Sequence, residues 1–340
     1  MVQSNNSRSI RWGIELTPDA PVREIAALGA AAEEAGFDAA FGSSHYDNRD
    51  PLIALDRVAA ATDEIRLGPG VANPYDVHPL RLASQVATLA EVSDGRALLG
   101  LGAGDASTLR NLGVDRDRPL RRVLETMRVA KKLWAGERVD HEGTFTASDA
   151  ALNYDPGPIP VLVGGQGPHM LRMAAKHADG VLVNGSHPDD YAWAADQVEI
   201  GLADRPESRG SFTLGAFASV SIDEDAERAR TVARRPVAYI AAGAPEEVLD
   251  RHGLDVDRAA AIGSAISAGD RERADDLVTP AMVDAFCVAG TPDAVAERIA
   301  TIREYAEAFV AASPLGPDRE HAIELLGSVR KRLIAPESEP

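Results

Sequence analysis

The chain has 340 residues, 45% of them hydrophobic, which allows a sizeable core in one large α/β domain or two ordinary ones. Its formal charge is −18, from 53 acidic against 35 basic residues, and such a surface repels nucleic acid and anionic membranes, arguing against both as partners. No apolar run approaches the roughly 20 residues of a membrane-spanning helix, and the polar opening MVQSNNSRS is not followed by a signal-peptide core. A single cysteine, Cys287, precludes an internal disulfide and fits a reducing cytoplasm, where the protein is expected to work. Lysine is confined to Lys131, Lys132, Lys176 and Lys331, while alanine and aspartate are abundant and the acids are spread along helices, as in DEDAERAR. That pattern is expected of a protein adapted to high salt, where screening removes self-repulsion; a plain solvated acidic surface is the alternative.

The predicted elements alternate regularly. RWGIEL reads as a strand and PVREIAALGAAAEEAG as an amphipathic helix with a glycine stop; FDAAFGSS and PLIALDRVAAAT follow as the second pair. IRLGPGV with HPLRLASQVATLAEVS, and RALLGLGAG with PLRRVLETMRVAKKLWAG, repeat the unit. After the irregular segment ERVDHEGTFTASDAALNYDPG come IPVLVGGQ, GVLVNG and FTLGAFASVSI, each followed by a helix. Short helices between Ala244 and Ala285 precede FCVAG, the expected eighth strand, and TPDAVAERIATIREYAE, the expected eighth helix. Eight such units in unbroken order predict a (β/α)8 TIM barrel with insertions after helix 4 and between helix 7 and strand 8. One domain is expected over residues 11–335, with flexible ends at 1–10 and 336–340.

A barrel places its chemistry at the C-terminal ends of the strands. Glu15 closes strand one, where partial burial would raise its carboxyl pKa and make it a usable general acid; an arginine-paired carboxylate at the rim is the alternative. Ser44 and His45 follow strand two, with His45 read as a ring contact or proton shuttle, or else as a structural loop residue. Gly70, Val71 and Asn73 follow strand three, and Asp105 follows strand four, either capping the next helix or sharing acid–base work with Glu15. VLVGGQGPHML presents Gly164, Gly165, Gln166 and Gly167 before a helix: a phosphate cradle, or a tight turn that glycines also serve. Asn184 opens NGSHP after strand six. No His or Cys cluster has metal-ligand spacing, so no metal is expected, and neither a G-x-S-x-G elbow nor a base beside Cys287 is present. A weak phosphate signal, one candidate acid and no nucleophile suggest that a bound cofactor carries the chemistry.

GIEL, HYDNRD, LGPGVANPY, ATLAEVSDGRALLGLGAGD, PVLVGGQGPHML, NGSHP, GTPDAVAERI and ASPLGPD together resemble the luciferase-like superfamily over nearly the whole chain. LGPGVANPY and SPLGPD are the stretches most similar to its methylenetetrahydromethanopterin reductases, which use the deazaflavin coenzyme F420. The resemblance implies a cis peptide between Gly70 and Val71 supporting the deazaflavin, His45 and Asn73 flanking the ring, Gly164 to Gly167 receiving the coenzyme phosphate, and Glu15 as proton donor. Ser44 stands where the family usually has an aspartate, which weakens a hydrogen bond to the cofactor headgroup. The implied reaction is hydride transfer from reduced coenzyme F420 to a methylene-tetrahydropterin, methanopterin- or folate-based, by a homodimer or homotetramer. Alternatives are a coenzyme F420-dependent alcohol or sugar dehydrogenase, an FMN-dependent monooxygenase, and a non-catalytic coenzyme F420-binding protein.

Overall fold

The computed structural model describes residues 10–334, so the expected flexible ends lie, apart from Ile10, outside the described residues. The strands, in chain order, are β1 Trp12–Leu16, β2 Ala39–Gly42, β3 Arg66–Pro69, β4 Leu99–Leu101, β5 Val139–Glu142, β6 Thr146–Ala150, β7 Val161–Gly164, β8 Gly180–Asn184, β9 Thr213–Ile222, β10 Val288–Gly290 and β11 Ala308–Leu315. Eight of them follow the order β3-β2-β1-β11-β9-β8-β7-β4. Isolated parallel bridges, Leu67 to Ala97 and Ala72 to Leu101, link the two ends of that order. The result is a nearly closed parallel barrel of the TIM type, the expected fold class.

The backbone divides into two compact units, one running up to Val183 together with Ala194–Gly215, the other comprising Asn184–Trp193 and the chain from Ala216 onward. In the first, β1 is buried at every residue, as a parallel strand covered on both faces must be. Its register with β2 and β3 sets Glu15 beside Phe41 and Phe41 beside Gly68, one row across the sheet. The helix after β2 starts where the sequence supplies both a cap and a proline. Asp50 accepts from the N–H groups of Leu52 and Ile53 at 2.9 and 3.1 Å, and Pro51 opens the helix Pro51–Ala60. Pro79 and Pro119 play the same part in the helices Pro79–Val92 and Pro119–Trp134.

Beside the starts of β3 and β4, Arg96 donates to the carbonyls of Ala59 and Ile65 and to Thr62 Oγ1, tying three turns together. Glu33 accepts from the N–H groups of Asp63, Glu64 and Ile65. The expected insertion after the Pro119–Trp134 helix is the antiparallel hairpin β5–β6. Glu125 pins it, accepting from Thr144 N and Oγ1, both at 2.7 Å, with His141 Nε2 at 3.2 Å and Arg121 Nε at 2.6 Å.

In the second unit the expected eighth strand is corrected. FCVAG supplies only β10, a three-residue strand that pairs with β9 off the main path. The eighth barrel strand is β11, AFVAASPL, and the helix Pro292–Ile302 therefore belongs to the insertion that precedes it. AFVAAS was not read as a strand because its alanines continue the composition of the helix before it, whereas burial on both sides selects an extended chain. The rest of this insertion is helical: Val237, Ile262, Met282 and Phe286 meet in one apolar cluster with Cys287. Burial pushes the Cys287 thiol up to about 12, so it is an inert packing residue. No helix among the described residues is long and apolar enough to cross a membrane.

Candidate active site

Eleven of the twelve residues singled out above, all but Asn184, belong to the first unit and stand at or beyond the C-terminal ends of its strands. Glu15 is only 3% exposed, and its Oε1 accepts from Thr17 Oγ1 at 2.8 Å, which orients the carboxyl at the end of β1. Beyond β2, Ser44 and His45 line a cleft of about 220 Å3 with Pro69, Ala72, Asn73 and Gln85. Pockets that hold a whole ligand run to about 300–1,000 Å3, so this cleft is one compartment of a site. Two buried polar atoms at or beside it, Ser43 Oγ and Gln85 Oε1, lack a hydrogen-bond partner among the described residues. Such atoms are normally satisfied by protein, water or ligand.

The peptide between Gly70 and Val71 is cis, and Ser313–Pro314 is the other cis bond among the described residues. What holds the Val71 side chain is a floor of glycines. A Cβ on Gly102 would come 2.5 Å from Val71 Cγ2, one on Gly164 would come 2.9 Å from Cγ1, and one on Gly100 would meet Pro69 O at 2.1 Å. Phe41 closes the other side, since a Cβ on Gly70 would lie 2.7 Å from its Cβ. Gly100, in β4, and Gly102, the residue just after it, were not among the site candidates, although a spacing of two in extended chain is the mark of one face.

Asn73 is 5% exposed and folds its own loop: Oδ1 accepts from Tyr75 and Asp76 N–H at 3.0 and 3.2 Å, and Nδ2 donates to Asp76 Oδ2 at 3.0 Å. Arg122 stitches that loop to the hairpin, donating to Pro74 O at 2.8 Å and Thr144 O at 2.6 Å. Asp105 is exposed and caps the helix Ala106–Asn111 by accepting from Thr108 N at 2.8 Å, the first of its two expected roles. In the glycine loop the N–H of Gly165 is committed to Leu182 O at 3.1 Å, and a Cβ there would strike Met170 at 2.8 Å. Gly167 precedes the helix Pro168–His177 and faces open space. Gln166 and Gly167 are exposed. Asn184 ends β8, is exposed, and falls in the second unit. No group of three His, Cys, Asp or Glu side chains suited to a metal ion occurs among the described residues.

A deazaflavin fits what is present. A flat ring needs a smooth backbone bulge to lie on, and the glycine floor keeps Val71 from riding up into that space. Its polar edge needs donors and acceptors, which Ser43, Ser44 and Gln85 have to offer. Its phosphodiester needs a helix start reached without side-chain obstruction, as at Gly167.

These features define a TIM-type barrel with a polar cleft and a glycine-floored bulge at its strand ends. The family profile described as luciferase-like monooxygenase matches residues 8–310, and the chain belongs to that family. Within it, the chain is 41% identical to the 5,10-methylenetetrahydromethanopterin reductase of Archaeoglobus fulgidus over 324 residues, 94% of this chain and 98% of the relative. Among solved structures, the coenzyme F420-dependent tetrahydromethanopterin reductase of Methanopyrus kandleri superposes with a TM-score of 0.88 at 36% identity, covering 94% of this chain and 98% of that one. An F420-dependent secondary alcohol dehydrogenase shares the fold, with a TM-score of 0.79 at 18% identity over 96% of this chain and 100% of that one.

Proposed function

We propose that the protein is a coenzyme F420-dependent methylene-tetrahydropterin reductase. The observation that carries the reading is the identity of 41% to a reductase over 94% of this chain and 98% of that enzyme's length. Reduced coenzyme F420, when bound, supplies the hydride. The chain supplies position, proton and shelter. The Gly70–Val71 bulge, fixed from below by Gly100, Gly102 and Gly164, is the surface for the ring, and Ser44 and His45 meet its edge. Gly167 and the start of the Pro168–His177 helix receive the phosphate.

Glu15 is the proton donor. Its buried carboxyl, steadied by Thr17, protonates a ring nitrogen of the pterin at the methylene bridge, so that the carbon–nitrogen bond breaks toward that nitrogen. Hydride addition to the methylene carbon then leaves a methyl group, and one proton plus one hydride balance the change. Both methanopterin and folate carry that bridge, so both are candidate substrates. The high acid content, with four lysines, supports work in concentrated salt.

The test is anaerobic, in high salt, with reduced coenzyme F420 and either methylene-tetrahydromethanopterin or methylene-tetrahydrofolate. Appearance of the oxidised coenzyme's absorbance with one pterin is the expected result and names the substrate. Tight coenzyme binding with no oxidation by either pterin would overturn the reductase reading and turn the search to alcohols.

A further inference from the structure

On a chain of net charge −18, three of the four lysines fall in the first unit. Lys131 and Lys132 stand in the last turn of the helix Pro119–Trp134, and Lys176 and His177 in the last turn of Pro168–His177. A cleft of about 350 Å3 opens there, lined by Arg128, Lys131, Lys132, Glu137, His177 and Arg209, with Met127 as its apolar floor. It lies beside the beginnings of two strands rather than their ends. Lys131 pairs at 2.8 Å with Asp179, which precedes β8 and whose Oδ2 also accepts from Val161 N, the first residue of β7. The cleft is thus at the opposite end of β7 from Gly164 and the coenzyme loop.

Cations at helix C-termini are ordinary complements to the helix dipole. At the end of the Pro168–His177 helix that requirement is already met by other groups. Arg205 Nη1 donates to the carbonyls of Ala175 and Ala178 at 2.7 and 2.8 Å, and Arg209 Nη1 donates to His177 O at 2.7 Å. Lys131 has Asp179 and Lys176 has Asp204. The side chains of Arg128 and Lys132 take part in no ion pair or hydrogen bond among the described residues, and one carboxylate, Glu137, stands against four permanent cations in the lining. The local field is positive enough to act on a neighbour: burial first, then Arg128, Arg209, Lys176 and Arg205, hold the His177 imidazole below its ordinary pKa. Elsewhere the surface carries an excess of acids, so an uncompensated basic cleft is not the chain's general habit.

We infer that this cleft is a second anion site, built for a phosphate-bearing small molecule and separate from the coenzyme loop. Arg128 and Lys132 would close on the phosphate oxygens from the exposed side, and Lys131 and Arg209 from the inner side. The volume admits a pyrophosphate-sized group, and Glu137 selects against anions that cannot outbid it for the lysines.

The probe is pyrophosphate, titrated calorimetrically into the purified full-length protein at constant ionic strength in potassium chloride. Saturable binding of one equivalent at this cleft is expected. The Arg128→Ser, Lys132→Ser double variant, altered only at exposed side chains, should bind it at least about tenfold more weakly. Glu137→Gln should bind it more tightly, a gain that damage to the fold does not produce. The inference is overturned if chloride alone reproduces the heat, or if the double variant binds pyrophosphate as the unaltered protein does, which would assign the anion to the glycine loop instead.

Discussion

A Cβ atom on Gly102 would lie 2.5 Å from Cγ2 of Val71, closer than real side chains approach. The two residues come from different strand ends, yet Gly102 cannot gain a side chain unless Val71 moves. The bulge that carries the proposed cofactor surface is therefore held both by the side chains that the end of β4 lacks and by backbone bonds, Gly100 O accepting from Ala72 N at 2.9 Å and Gly102 N donating to Ala72 O at 2.8 Å. Gly102→Ala should displace Val71, lower stability by roughly 1–3 kcal/mol, and weaken coenzyme F420 binding by about tenfold or more. Denaturant midpoints and a fluorescence titration of the coenzyme read the two effects; binding at the unaltered affinity would show that the bulge does not bear the ring.

Gly167 offers the opposite case, because a Cβ there meets nothing within 4 Å. Gly167→Ala should leave the melting temperature where it is. Weakened coenzyme binding in that stable variant would mean that the phosphate lies against the loop; unchanged binding would mean that it lies elsewhere.

Glu15→Gln keeps the shape of the side chain and removes the acid. Turnover should fall by about 10²–10⁴, the usual share of one general acid, with the coenzyme's dissociation constant unaltered. Loss of both together would make Glu15 a structural carboxylate of the strand end.

Glu125 gives a pH dependence whose sign is fixed. Burial pushes its carboxyl upward, but the Thr144 N–H, Arg121, the Thr144 hydroxyl and His141 outweigh that and hold it at about 2 against an ordinary 4.5. A depressed carboxylate stabilises the fold fully above its unfolded pKa and loses that contribution as the pH falls toward the folded one. Unfolding midpoints measured from pH 4.5 down to about 2 should therefore drop, and drop less steeply in Glu125→Gln. That variant should also be weaker near neutrality by about 1–3 kcal/mol, since Thr144 loses a charged acceptor.

Salt should act on the whole chain. With −18 charges, the melting temperature should climb as potassium chloride is raised from low to molar concentration, most steeply at the low end, where the Debye length changes most. A flat response would remove the halophilic reading and leave only a solvated acidic surface.

Much of this was legible along the chain because it is local. A strand such as WGIEL declares itself by being apolar throughout, and a helix such as Pro51–Ala60 by an aspartate and a proline at its start. Repeated in order, these pairs imply a parallel barrel, and a barrel dictates which end bears the chemistry, so Glu15, Ser44, His45 and the glycine loop could be marked in advance. β11 escaped because an alanine-rich strand and an alanine-rich helix look alike until something buries both faces. The partners of Val71, the capping duty of Asp105, the commitment of the Gly165 N–H to Leu182 and the meeting of Arg128 with His177 and Arg209 were decided only in three dimensions. Periodicity reports which side of its own element a residue faces; which residue of another element lies opposite depends on register and closure, and those are settled by packing across the sheet.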